Sequence, residues 1–184
     1  MSVTTTAWDR AALAERRDDV LDVYAEAMEV DRVAARARRG ILTTHLDRAG
    51  LRAVAAEQDG ALVGIAYGYL GARGQWWHDQ VRAAMGEHLA VAWLQGSFEL
   101  CELHVLPRLH GTGLGRTLLQ QLLASTDAPT AVLTTPDVDT RARRFYRAGG
   151  WSDLVRDLRF PGDPRAFAVL GLRLPHPPPG PSVG

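Results

Sequence analysis

Residues 103–119 read LHVLPRLHGTGLGRTLL. An apolar stretch passes into a leucine-rich one across Gly111, Gly113 and Gly115, which alternate with single residues. Glycine admits positive φ and lets the backbone come close to a ligand. The pattern predicts a strand over residues 97–105 and a helix over 113–125, so the glycines stand where a strand passes into a helix. The free N–H groups of a first helical turn and the positive end of its dipole favour an anion. A phosphate or pyrophosphate is the natural guest. A turn that only permits tight packing is the alternative, and it does not require three alternating glycines at one helix entrance.

Two known phosphate loops are excluded by residue. The nucleoside triphosphate loop needs Gly-Lys-Ser/Thr, and the chain has no lysine. The dinucleotide fingerprint G-x-G-x-x-G fails because Arg116 and Leu118 follow the third glycine.

Working outward, the periodicity predicts helices at about 15–28 and 31–48, the second burying Val33, Ala37 and Ile41. LRAVAAEQ-DG-ALVGIAYGYL reads as a β-hairpin turning on Asp59-Gly60. A helix over 76–93 carries Trp77, Val81, Met85 and Leu89 on one face, with Gly86 as its weak point. A strand over 130–135 follows, then a helix N-capped by Asp139 and running to Ala148. Two strands near 152–159 and 165–173 turn at PGDP. The order implies an α/β domain with a mixed sheet, helices on both faces and a parallel, right-handed strand–helix–strand unit. Residues 1–174 are expected to form a single domain, and the Pro-rich end, PHPPPGPSVG at 175–184, to be disordered.

Composition narrows the function. The chain has 184 residues and 21 basic against 21 acidic side chains, so no net charge draws it to nucleic acid or an anionic membrane. The single cysteine, Cys101, rules out an intrachain disulfide and a cysteine-based zinc cluster, and the six histidines have no metal-ligand spacing. No apolar run approaches a membrane span or signal peptide. The expectation is a cytoplasmic, soluble, metal-free protein.

His110-Gly111-Thr112-Gly113-Leu114-Gly115, preceded by Leu103-His104-Val105-Leu106-Pro107, resembles the acetyl-CoA pyrophosphate loop of the GNAT family of N-acetyltransferases. His110 stands where that family usually has Arg or Gln. A second block, DTRARRFYRAGGW, resembles the family's Asn-x-x-Ala-x-x-Phe-Tyr helix through Ala142, Phe145, Tyr146, Gly150 and Trp151, with Asp139 in place of Asn. The resemblance covers roughly residues 3–173. It implies a mostly antiparallel central sheet flanked by helices, a parallel CoA-binding core, and acetyl-CoA as cosubstrate without a metal.

Site residues follow from the same resemblance. Leu103, Val105, His110, Gly111, Thr112, Gly113, Leu114, Gly115, Arg116 and Tyr146 are expected to bind the cofactor, with Arg116, and less so Arg144, at its phosphates. Direct attack of an amine on the thioester needs an oxyanion donor, assigned to the backbone N–H of Val105 or its neighbour. It also needs an acid for the CoA thiolate, Tyr146, and a base for the amine, either a residue or water. Glu102 is the first choice for the base; Glu99 and His104 are alternatives. Cys101 is read as a buried side chain rather than a nucleophile.

Phe98 and Leu100 alternate out of phase with Leu103 and Val105. A β-bulge near Cys101/Glu102, which the resemblance also implies, is expected to restore one face; a strand buried on both faces is the alternative. Trp76, Trp77 and His78 either line the acceptor pocket or pack on the sheet. The acceptor is expected to be a small-molecule amine, with a peptide N-terminus or protein lysine as the alternative. A non-catalytic acyl-CoA-binding module is a further one. Pairing through sheet edges or helices would make a homodimer.

Overall fold

A computed structural model describes residues 2–175; the expected disordered tail therefore lies almost wholly outside the described residues. Seven strands are hydrogen-bonded in the order β1-β2-β3-β4-β5-β7-β6. They are β1 (Val3–Trp8), β2 (Arg52–Gln58), β3 (Ala61–Leu70), β4 (Phe98–Val105), β5 (Thr130–Pro136), β6 (Ser152–Leu158) and β7 (Phe167–Arg173). The β1–β2, β2–β3, β5–β7 and β6–β7 pairs are antiparallel, and β4 runs parallel to β5 through Phe98↔Ala131 and Glu99↔Val132. Helices flank the strands, and the mixed, mostly antiparallel sheet is the one expected. Packing divides the chain into two compact units, residues 1–69 with 100–126, and residues 70–99 with 127–184.

In the first unit, β1 is followed by helices α1 (Arg10–Glu15), α2 (Arg17–Ala27), α3 (Arg32–Arg36) and α4 (Arg39–Leu46). The sequence reading begins its first helix at residue 15 and passes over β1 and α1. The Asp9 side chain caps α1 by accepting from the Ala12 amide at 2.8 Å. The Asp59-Gly60 turn is as expected, both residues having positive φ (52° and 80°).

The predicted helix over 31–48 is corrected to α3 and α4, and so is its buried face. Val33 and Ile41 are 79% and 48% exposed, while Ala35, Leu42 and Leu46 are buried. The Ala37 and Arg38 amides bond back three residues, to Ala34 and Ala35. That tightening breaks the 3.6-residue phase on which the predicted face rested.

In the second unit the predicted helix over 76–93 is likewise two, α5 (Trp76–Met85) and α6 (Glu87–Leu94), separated by Gly86 at φ 73°. Val81, Ala90 and Leu94 form a core with Val132, Val169 and Phe160, against which Trp77 packs. The Trp77 indole N–H donates to Thr134 Oγ1 at 3.1 Å. Trp77 thus packs on the sheet, whereas Trp76 is 56% exposed. Helix α8 (Arg141–Ala148) is capped by the Thr140 side chain, which accepts from the Arg143 amide, rather than by Asp139. Asp139 pairs instead with Arg144 at 2.7 Å.

Arg143, in the arginine-rich α8, is 4% exposed. It bonds both carboxylate oxygens of Asp153, at 3.0 and 2.9 Å, and Asp137. Asp137 also accepts from Arg156 Nε at 2.6 Å and the Asp157 amide at 2.8 Å. Burial alone pushes the Asp137 carboxyl up, but the Asp157 amide and the two guanidiniums outweigh it and hold it at about 2, below the ordinary 3.8.

A folded-state value below the unfolded one stabilises the fold above the ordinary carboxylate range. That contribution is lost as pH falls through about 2. With solvent screening near the surface it amounts to about 1 kcal/mol. Asp137→Asn is expected to lower the melting temperature at pH 7 by about 2–4 °C, with the gap closing toward pH 2. Equal melting at pH 7 would show that the network carries no stability.

Candidate active site

The glycine loop belongs to the first unit. A 3₁₀ turn, Pro107–Leu109, leads to His110, and α7 (Leu114–Ala124) begins after Gly113. Gly111 and Gly113 have φ of 81° and 90°, and a Cβ at either would meet no protein atom within 4 Å. The backbone here needs glycine for its conformation, and the space above it is open. Among the described residues, the amides of Gly111, Gly113, Gly115 and Arg116 have no protein acceptor. Leu114 is buried, anchoring the first turn, and Arg116 is exposed beside it. The loop is therefore an open row of donors at the positive end of a helix, the arrangement that binds a pyrophosphate.

His110 has a role the sequence did not suggest. Its Nε2 lies 2.8 Å from the Val105 carbonyl, to which it donates. The side chain thus braces the loop against the end of β4. The Leu106 amide donates to Val63 O at 2.9 Å, which removes Leu106 as an oxyanion donor; Val105 is buried. Thr112 bonds back to Leu109 O at 2.8 Å. Leu103 is half-buried on β4. Phe98, Glu99 and Leu100 are buried in succession, as two-sided coverage of that end of β4 requires.

Glu102 and His104, two of the three residues considered for the base, lie together. His104 Nε2 donates to Glu102 Oε2 at 2.5 Å, and Arg38 Nη2 donates to Glu102 Oε1 at 2.5 Å. The His104 ring meets Tyr24 edge-on, with centroids 5.2 Å apart, and the Arg38 guanidinium carbon lies 4.6 Å from the Tyr24 ring centre. Burial pushes the Glu102 carboxyl up, but the His104 hydrogen bond and the positive charge of Arg38 prevail and hold it below its ordinary value. Glu102 is thus an ionised anchor with both oxygens engaged.

Tyr67 and His45 complete this cluster. The Tyr67 hydroxyl lies 3.1 Å from His45 Nδ1. Burial first, then the Glu102 charge, pushes the Tyr67 hydroxyl well above its ordinary value, so it stays protonated and donates. Burial likewise lowers His45, which accepts as the neutral ring. Tyr24, Arg38, His45 and Tyr67 were not singled out from the sequence. Arg38 lies in the run RARR with nothing to distinguish it from its neighbours.

Tyr146 lies on α8 in the second unit, 9% exposed, its ring edge-on to Phe145 and Trp151. Ala142, on the same helix, is exposed and Phe145 half-buried. Glu99 is buried in that unit as well. Cys101 is half-buried on β4.

Comparison with known proteins agrees with the loop. Residues 17–150 match the model of the acetyltransferase (GNAT) family. The chain belongs to the GNAT family. It is 39% identical to a GCN5-like protein acetyltransferase of Mycobacterium tuberculosis, over 89% of this chain and 94% of that one. A PaiA N-acetyltransferase from Thermoplasma acidophilum, solved in complex with coenzyme A, shares the fold at a TM-score of 0.61 and 13% identity, covering 95% of this chain and 100% of its own. An aminoglycoside 6'-acetyltransferase of type Ii does so at 0.64 and 18%, covering 95% and 99%.

This GNAT protein is thus an acetyl-CoA-dependent acetyltransferase. Among its described residues, no helix is long and apolar enough to cross a membrane, and no group of three or more His, Cys, Asp or Glu is placed to hold a metal ion.

Gly113→Asp adds a side chain at positive φ and a negative charge where the pyrophosphate is expected. Calorimetric titration should show acetyl-CoA affinity reduced by more than about a hundred-fold, with folding checked by circular dichroism. Retained affinity would remove the loop from cofactor binding.

Proposed function

We propose that the chain transfers the acetyl group of acetyl-CoA to a primary amine by direct attack, with residues 1–174 acting as one catalytic domain. The open amides of Gly111, Gly113, Gly115 and Arg116 carry this reading. The family match runs from 17 to 150 across both compact units, which supports the single domain.

Bound acetyl-CoA supplies the thioester. The loop amides hold its pyrophosphate, with Arg116 adding charge. The Val105 amide faces the oxygen that gains negative charge, and Tyr146 protonates the departing thiolate, as the family resemblance implies.

The base moves from Glu102 to the Glu102–His104 pair. Glu102, held ionised by Arg38 and His104, is weakly basic; His104 takes the proton and Glu102 stabilises the charge that results. A non-catalytic acyl-CoA module has no use for such a pair. The acceptor is the amine of a small molecule, a class on which the aminoglycoside enzyme of the same fold acts. A protein lysine is the second reading, favoured by the relative at 39% identity, which is a protein acetyltransferase.

Steady-state kinetics over pH on an amine panel test the roles. Tyr146→Phe should lower kcat by about a hundred-fold, in line with loss of a general acid, and leave the Kd for acetyl-CoA unchanged. Glu102→Gln should lower kcat and displace the acidic limb of the profile. Unaltered kcat in both variants would overturn the assignment.

A further inference from the structure

The pocket around Glu102 is lined by Tyr24, Tyr67, His104 and the aliphatic side chains Val20, Leu21, Ile41 and Leu42, and it already holds a cation. Arg38 projects from the break between α3 and α4. Its guanidinium lies over the Tyr24 ring and donates to Glu102 Oε1. The space left is about 10 Å³, room for about one water molecule.

We propose that Arg38 is a substrate mimic: its side chain occupies the place of the acceptor's ammonium group and must swing out before the amine enters. The inference rests on the reading of this pocket as the acceptor site. The contacts made by Arg38 define the ligand class. A carboxylate at the base, an aromatic face beside it and aliphatic walls suit a primary alkylammonium on an unbranched stem, the chemistry of a lysine side chain.

The position of Arg38 suits such a movement. It is the N-cap of α4 without a side-chain cap bond, and its side chain is 35% exposed. Withdrawal frees Glu102 Oε1 for the incoming ammonium, while Oε2 keeps its bond to His104, the group that then takes the proton. Arg38 thereby sets specificity by competition: amines that cannot replace both the ring contact and the ion pair do not displace it.

Arg38→Ala and Arg38→Ser test the proposal; serine is a favoured N-cap and guards the start of α4. Acetylation of n-butylamine by acetyl-CoA is measured with and without methylguanidinium chloride, and methylguanidinium binding is followed by NMR. In both variants the KM for n-butylamine is expected to fall by about ten-fold or more. Methylguanidinium should bind the variants and not the wild type, and inhibit them competitively against n-butylamine.

The opposite sign, variants that lose activity and regain it with methylguanidinium, would make Arg38 a positioning residue for Glu102 and overturn the proposal. An unchanged KM with no methylguanidinium binding would overturn it as well. If methylguanidinium binds the variants but none of them acetylates n-butylamine, the acceptor reading of the pocket fails and the mimicry falls with it.

Discussion

The amides of Gly111, Gly113, Gly115 and Arg116 around the start of helix α7 have no acceptor among the described residues, and this one unmet requirement organises the first unit. Exposed N–H groups at a helix start are ordinarily capped by a Ser, Thr, Asp or Asn side chain. Here Gly113 occupies the cap position in left-handed conformation and brings no side chain at all. The ordering of the loop instead comes from behind: His110 to the Val105 carbonyl, Thr112 to Leu109, and the buried Leu114, Leu118 and Leu122. Bracing one side of the loop with side chains and leaving the other side bare keeps the donors fixed while exposed. A ligand then meets a site that needs little reorganisation.

The same strand that feeds the loop carries the proposed base. Glu102 and His104 are two residues apart on β4 and face the helices of the first unit rather than the bare loop, where Tyr24 and Arg38 close around them. An ionised carboxylate so enclosed is tolerated only because the Arg38 guanidinium, the His104 N–H and an aromatic face surround it. The electrostatic balance is local: Arg38 neutralises Glu102, and whatever replaces Arg38 must be a cation too. A protonated amine is the form in which most primary amines reach an enzyme at neutral pH, so a site that first recognises the ammonium and then removes its proton fits the chemistry.

Much of this was legible in the sequence because it depends on neighbours along the chain. The glycines, the Asp59-Gly60 hairpin and the leucine period of α7 are local signals, and each appears where expected. The Thr-rich β1 has β-branched residues but no turn signal before it, and it went unread. The run 31–48 has an unbroken apolar period, and only the three-residue bonds at Ala37 and Arg38 reveal that the phase slips.

Long-range electrostatics left no mark at all. Arg38 lies 64 residues from Glu102, and Arg143 looks like any other arginine on a basic helix until Asp137 and Asp153 are seen to bury it. Helical period tells which face of an element is apolar, not which charged residue from elsewhere will be drawn beneath it.

The central claim is that the bare amides hold acetyl-CoA, and thermal melting with the cosubstrate tests it most directly. At about 100 times the dissociation constant, binding should add about 2.7 kcal/mol. For a chain of this size that is a rise in melting temperature of about 5–10 °C. A rise of that order, absent with acetate alone, is the predicted result. A folded protein whose melting temperature does not change with acetyl-CoA would contradict the account.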